Sequence, residues 1–200
     1  MKQKIKKLLS VFLAVFIFSL SLCLNVNAAS QYTGVSITTV IQAKSNWCWA
    51  ACAQMGAKNA YSSSTRDQYD IVHYIFDNES VYYPNYGASV YQQSIGAKYA
   101  TNNNKNFGYT YSAWSFSKLK DSLAKGYAIQ TAGGYYSGSK RTGGHMVIVY
   151  GVQFINNSSG LFYYVDYKDP IDGSNHHCTY EQFCNGGYNG RKYDQTVYVK

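Results

Sequence analysis

The sequence predicts an α+β domain in which a helical half packs against a curved antiparallel sheet. In the first half of the chain, apolar residues recur at helical spacing behind cap-type residues. In the second half, β-branched and aromatic runs alternate with clusters of Gly and Asn. Helices followed by strands, rather than alternating with them, are typical of the α+β class. No internal repeat or low-complexity linker divides the sequence, so we expect one domain.

The elements follow from local signals along the chain. Four helices are predicted to start after cap-type residues, namely Asn46, Thr65, Ser89 and Ser115. Gly126 is in the expected place to end the fourth helix. Residues 101–110, with four Asn around Lys105, read as a loop. Strands are predicted within residues 127–131, 145–154, 161–167 and 196–199.

The first 28 residues have the pattern of an export signal. Met1 to Lys7 carry four lysines and no acid, and Leu8 to Leu24 are almost wholly apolar. Val26-Asn27-Ala28 supplies the small residues that signal peptidase requires, so cleavage is expected before Ala29. The alternative, a retained membrane anchor, is disfavoured because the apolar run is at the short end for a span. We therefore expect a signal peptide over 1–28 and a secreted domain over 29–200, located outside the cell or at its surface.

The charge excludes an obvious nucleic-acid partner. Four of the 18 Lys and Arg residues lie in the signal and none of the 10 Asp and Glu residues does, which leaves 14 − 10, a net charge of +4. The remaining sequence has no dense basic run. We expect a monomer that acts on a protein or peptide, with no nucleic-acid partner and no stable membrane association after signal cleavage. The 22 tyrosines fit strand propensity, with exposed sugar- or peptide-binding surfaces as the alternative.

The cysteines give a second constraint. Cys23 leaves with the signal, and the four that remain are Cys48, Cys52, Cys178 and Cys184. An even count in an exported protein allows two disulfides, but a free nucleophile leaves room for only one. A small loop closed by Cys178 and Cys184 is the favoured bridge. Cys52, one helical turn after Cys48, reads as a core thiol, with a redox partner of Cys48 as the alternative. The His176-His177-Cys178 run lacks the paired spacing of zinc sites, so neither a metal nor a cofactor is predicted.

Three residues form a candidate constellation for thiol chemistry. A cysteine in the first turn of a helix favours the reactive thiolate, a histidine completes an ion pair with it, and a third group orients that histidine. Cys48 is at a predicted helix start, and His145 follows two glycines and opens an apolar strand. Asp169 comes at the end of the next strand, with Asp166 as the alternative orienting residue. Strand alternation puts these two carboxylates on opposite faces, so only one of them can reach His145.

The order of these residues resembles the papain-like cysteine peptidase superfamily. The resemblance rests on Gln42-x5-Cys48-Trp49, on Gly144-His145 opening a strand, and on Asp169-Pro170, and it spans about residues 40–170. It is similar in particular to short bacterial forms, namely double-glycine leader peptidases, the staphopain type and secreted effector peptidases of plant pathogens. The resemblance implies a papain-like fold and an oxyanion hole formed by Gln42 and the N–H of Cys48.

Two features depart from the best-known members of that superfamily. An aspartate stands where plant and lysosomal relatives use asparagine, and the Cys-to-His separation of 97 residues (145 − 48) is short, so large cleft loops are missing. No inhibitory propeptide fits between Ala28 and Gln42.

The sequence thus favours a secreted bacterial cysteine endopeptidase that works through an acyl-enzyme on Cys48, with His145 as general base and acid. A cell-wall peptide amidase is the first alternative, although the Asp-Cys-Ser start associated with those enzymes is absent. A non-enzymatic, tyrosine-rich binding module on the same fold is the second.

Overall fold

The structure is a computed structural model that describes residues 29–76, 83–186 and 190–200. The expected signal peptide lies outside the described residues. No helix in the described part of the chain is both long and apolar enough to cross a membrane.

The helical half contains three helices, and their starts depend on local capping. They are α1 (Cys48–Ala60), α2 (Gln68–Phe76) and α3 (Val90–Ala100). Ser89 caps α3 as predicted, in a reciprocal capping box with Gln92. The cap predicted at Thr65 is wrong, because Asp67 accepts the Asp70 N–H at 2.9 Å and α2 begins three residues later than Thr65.

The start of α1 also differs from the prediction. Its N-cap is Trp47, which makes no side-chain capping bond. Asn46 instead donates two hydrogen bonds to Asn85, from its backbone N–H to the side-chain oxygen and from its side-chain amide to the backbone carbonyl. The cap-type residues before α1 therefore tie this segment to a neighbouring loop, and they leave the first turn of the helix uncapped by a side chain.

The sheet is antiparallel throughout the described residues. Its strands are β1 (Ala29–Gly34), β2 (Phe107–Thr110), β3 (Ile129–Ser137), β4 (Lys140–Asn157), β5 (Gly160–Lys168), β6 (Asn175–Thr179) and β7 (Lys192–Val199). The spatial order is β2-β7-β3-β4-β5-β6. The long β4 pairs with β3 over its first half and with β1 from Gly151 to Asn156.

Both faces of the sheet are covered, which gives two apolar clusters. One face packs against α1, α2 and α3, and its cluster includes Trp49, Met146 and Ile148. The other face is covered by α4 (Phe116–Ala124) and α5 (Tyr180–Asn185), with Leu119 and Val147 in its cluster. Residues 49–57 of α1 are buried without interruption, so this helix is apolar around most of its circumference.

The α+β prediction is confirmed, while four short elements were missed, namely β1, β2, β6 and α5. The loop prediction is wrong for the last four residues of 101–110, which form the strand β2 and pair with β7. The segment around His176, which read as a loop, contains β6, and α5 follows it at once. All four elements are four to six residues long, too short to show a clear hydrophobic period.

Candidate active site

A cleft runs between the helical half and the sheet, and Cys48 lies at its base. The cavity has a volume of about 330 Å³ and is lined from both halves. Its lining includes Trp49, Ser89 and Gln93 from the helical side, with Ala132, Arg141, Gly144, His145 and Gln195 from the sheet. The first turn of α1 and the start of the central strands therefore meet at one place.

The Cys48 thiol is held by the start of α1 and by the backbone of β4. Cys48 is the first residue of the helix, where backbone N–H groups lack acceptors within the helix and favour negative charge. The N–H of Met146, on β4, donates to Cys48 Sγ at 3.5 Å. This donor is a second feature that favours the thiolate, and sequence patterns gave no sign of it.

The two tryptophans beside Cys48 fix the start of the helix. Both are buried, and their indole N–H groups donate to backbone carbonyls of the segment before α3, Trp47 to Pro84 at 2.8 Å and Trp49 to Tyr86 at 3.1 Å. Trp49 also lines the cleft. Trp47 is thus a packing residue, and Trp49 is both a packing residue and part of the wall.

His145 and Asp169 form a buried pair beside the thiol. His145 Nε2 and Asp169 Oδ1 are 2.7 Å apart, and the residues are 8% and 3% exposed. The same Asp169 oxygen accepts the Ile171 N–H at 2.9 Å. With Nε2 directed at the carboxylate, the other ring nitrogen of His145 is left for its hydrogen bond with Cys48.

The environment of His145 favours the imidazolium. Burial alone would lower the pKa of His145, because it penalises the charged form. Hydrogen bonds to Asp169 and Cys48, together with their negative charges, outweigh burial and raise the pKa above its usual value. A protonated His145 beside a Cys48 thiolate is the ion pair that activates thiol nucleophiles.

Asp166 is directed away from this pair. It bonds to His177 Nδ1 at 2.5 Å, across the β5–β6 ladder. The structure thus brings Asp169 to His145 and Asp166 to His177, as expected for carboxylates three residues apart at the end of a strand.

Arg191 is a site residue that sequence reasoning missed. It is 5% exposed, and its Nη2 lies 4.0 Å from Asp169 Oδ2. Gly133 gives it room, since a Cβ there would come within 3.0 Å of Arg191 Cβ. Arg191 follows a run of Gly and Asn, where no periodic pattern predicts a buried side chain.

The side chain of Gln42 is engaged outside the cleft. Its Nε2 donates to the carbonyls of Lys44 at 3.0 Å and Ser45 at 2.9 Å, so both amide hydrogens stabilise the loop before α1. The Gln42 backbone N–H bonds to the Pro170 carbonyl at 2.7 Å. Gln42 therefore lies next to the Asp169 loop, but its side-chain donors are not directed at Cys48.

The other cysteines have distinct environments. Cys52 is fully buried, with Sγ 3.5 Å from the Met146 carbonyl, and its burial above all raises the pKa of its thiol well above the usual range. Cys178 and Cys184 are free thiols in the structure, so the bridge favoured from the sequence is not formed there. Burial raises the pKa of Cys178 to about 11 and also raises that of Cys184.

The histidines next to Cys178 have other partners. His176 Nε2 is 2.7 Å from Ser174 Oγ, and its ring stacks on Tyr167. His177 pairs with Asp166 and stacks on Tyr164. These contacts account for both rings without a ligand.

A thiol at the start of a buried helix, facing a histidine–carboxylate pair on a sheet, defines a cysteine peptidase of papain-like architecture. The model of the family described as papain-like cysteine protease AvrRpt2 matches residues 29–186, and the chain belongs to this family. It is therefore a cysteine-type peptidase, and its substrates are proteins or peptides. No match was found among curated proteins.

Replacing Asp169 by Ala is expected to lower the pKa of His145. The change removes a hydrogen bond and a negative charge that raise this pKa, while burial, which lowers it, stays. Asp169→Asn, which keeps an acceptor oxygen but no charge, should give a smaller decrease. The measurement is an NMR titration of the imidazole resonances. Asp166→Ala is the matched control, and a larger decrease in that variant would contradict the assignment.

Proposed function

We propose that this chain is a secreted cysteine endopeptidase that hydrolyses peptide bonds through an acyl-enzyme on Cys48. The observation that carries the proposal is the contact of His145 with both Asp169 and Cys48 at the base of an open cleft. Nucleophile, base and orienting group are then in hydrogen-bond contact in the order that thiol hydrolysis requires.

The reaction follows from the protonation states of the pair. The Cys48 thiolate attacks the carbonyl carbon, and the negative charge moves to the carbonyl oxygen. His145 then gives its proton to the leaving nitrogen, so that the C–N bond breaks and a thioester remains. Next, His145 takes a proton from water, the hydroxide displaces Cys48 as a thiolate, and the carboxylic product leaves. Asp169 holds the imidazole in place and stabilises its cation.

Cys48→Ala is expected to abolish hydrolysis and leave the fold intact, because the thiol contributes little packing volume. Cys52→Ala is the matched control, since Cys52 lies one turn along the same helix, and it should keep most of its activity. The measurement is kcat/KM on a cleaved peptide, with circular dichroism to check folding. Activity in Cys48→Ala above about a tenth of wild type would overturn the proposal.

A labelling experiment locates the nucleophile independently. Iodoacetamide at neutral pH should modify Cys48 first, because Cys52 is fully buried and burial raises the pKa of Cys178 and Cys184. Peptide mapping of the labelled protein identifies the modified residue.

For the oxyanion, we propose two donors, the N–H of Cys48 and the amide of Gln42. The first is a helix-start N–H next to the reacting sulfur. The second requires Gln42 to release one of its loop carbonyls when substrate binds, since both amide hydrogens are engaged in the free protein. Donors aimed at a developing oxyanion account for a large share of catalysis in acyl transfer.

Gln42→Ala tests the second donor. Loss of one oxyanion donor is expected to lower kcat on the order of 10²–10³-fold with KM little changed. A role confined to the loop before α1 predicts a different result, namely a lower free energy of unfolding and an unchanged kcat. Measuring both quantities on one preparation distinguishes the two roles.

We also propose that residues 1–28 are removed on export, so that the active enzyme is the domain over 29–200, a monomer without membrane association. The lysine-rich start, the apolar run and the Ala28 cleavage pattern support this. Expression of the full chain in a host with signal peptidase should yield protein in the medium. Its intact mass should be that of a chain that begins at Ala29. Retention of the full-length mass in the membrane fraction would favour an anchor.

A further inference from the structure

The cationic side chain of Arg141 lies against the backbone of the cleft, next to the proposed base His145. Arg141 lines the cavity, and its guanidinium lies next to Gly144, the residue before His145. A Cβ at Gly144 would come within 2.9 Å of Arg141 Cζ and 3.0 Å of Nη1. A larger residue at this position would displace the guanidinium, which lies one residue from His145.

Asp194, on β7, holds this guanidinium in place from two strands away. Arg141 Nε donates to Asp194 Oδ2 at 2.7 Å, and Nη2 lies 3.4 Å from Oδ1. The bond passes over Gly134, which faces Gly144 in the β3–β4 ladder and whose Cβ would come within 2.7 Å of Arg141 Nε. Two facing glycines thus form the floor on which the ion pair rests.

Register shifts in two strand pairs direct the side chains of Arg141 and Asp194 towards the cleft. The β3–β4 register shifts so that Thr142 is an extra residue, and the β3–β7 register shifts in the same way at Asp194. Asp194 reaches Arg141, and the next residue, Gln195, lines the same cavity. Neighbouring strand residues ordinarily face opposite sides, and an extra residue of this kind redirects a side chain.

Donors remain for a ligand. Asp194 engages Nε and one Nη2 hydrogen, and the Tyr136 hydroxyl, which donates to Asp194 Oδ2 at 2.6 Å, also interacts with Arg141. Among the described residues, Nη1 makes no hydrogen bond to Asp194. The side chain is 32% exposed, so water or a substrate can reach it. No Asp or Glu is among the described residues that line the cavity. Lys140 and Lys192 add positive charge on the same two strands.

We propose that Arg141 is a specificity residue that selects substrates with a carboxylate side chain within a few residues of the scissile bond. A guanidinium fork matches a carboxylate in plane and spacing, and charge-assisted bonds are the stronger ones. Asp194 orients the fork and offsets part of its charge. The inference rests on the proposed function, because it assigns a substrate class to that cleft.

The test uses blocked peptides built around a cleavage site found with a peptide library. At each of three positions on either side of the scissile bond, a Glu peptide is compared with its Gln counterpart. Wild type is expected to favour Glu at one position on the order of tenfold in kcat/KM. Blocked ends make the side chain the only carboxylate. A second set with a free C-terminus shows whether a terminal carboxylate serves equally.

Two variants should move the Glu/Gln ratio in opposite directions. Arg141→Met removes the fork, so the ratio should fall to about one while the Gln peptide is still cleaved. Asp194→Asn removes the offsetting charge, so the ratio should rise above the wild-type value. Lys140→Met is the matched control, because it loses the same charge from an exposed neighbour, and it should leave most of the preference.

The outcomes separate this inference from the proposed function. A wild-type ratio near one at every position overturns the inference while leaving the peptidase in place. The inference is also overturned if the Glu/Gln ratio shifts in the same direction in Arg141→Met and Asp194→Asn. A purely structural ion pair predicts that result. If the library yields no cleavage site, binding of the same blocked library to Cys48→Ala, with Glu and Gln compared at each position, decides the question. A preference for Glu in binding then supports the inference, and equal affinities overturn it.

Discussion

The position of α1 against β4 is the constraint on which the rest of the site depends. Cys48 and Cys52, one turn apart, contact the same residue of β4 from two sides. The Met146 N–H donates to Cys48 Sγ, and Cys52 Sγ approaches the Met146 carbonyl, each at 3.5 Å. Sulfur hydrogen bonds are weak. Both cysteines, however, lie on α1, which is buried from Trp49 to Ala57 and cannot slide or rotate without losing packing. Cys52 thus has a structural role beside the nucleophile and needs no redox function.

The charges of the site alternate in sign along a buried chain. Arg191, Asp169, His145 and Cys48 follow one another, and each is in contact with the next. An isolated buried charge is costly, and an opposite charge at short range offsets that cost. Arg191 supplies a positive charge 4.0 Å from Asp169, and Asp169 in turn favours protonated His145. The imidazolium is therefore sustained by residues on both sides of it, and Asp169 is only the first of them.

The sequence carried the fold class and the order of Cys48, His145 and Asp169, because helix starts and strand ends leave local signals. It did not carry Arg191 or Met146, because their contribution comes from strand pairing and from a backbone N–H, which have no local pattern. Strand alternation predicted that only one of the two carboxylates could reach His145, but not which one, and the structure brings Asp169 there. For Gln42, the sequence suggested more than the structure of the free protein contains. Its spacing from Cys48 resembles that of the papain-like oxyanion hole, but its side-chain hydrogen bonds are directed at loop carbonyls. Spacing along the chain does not determine which acceptors a flexible amide finds.

Glycine has two roles where the strands meet the cleft. Residues without a side chain before the base, here Gly143 and Gly144, let a substrate backbone approach closely. The structure shows that Gly144, together with Gly134, also makes room for a guanidinium. Each glycine costs conformational entropy in a strand, on the order of 0.5–1 kcal/mol relative to alanine. Here two glycines face each other beneath an ion pair, next to two register shifts. Sheet stability alone would not favour this arrangement. A specificity role for Arg141 supplies a reason for this arrangement in the part of the sheet closest to His145.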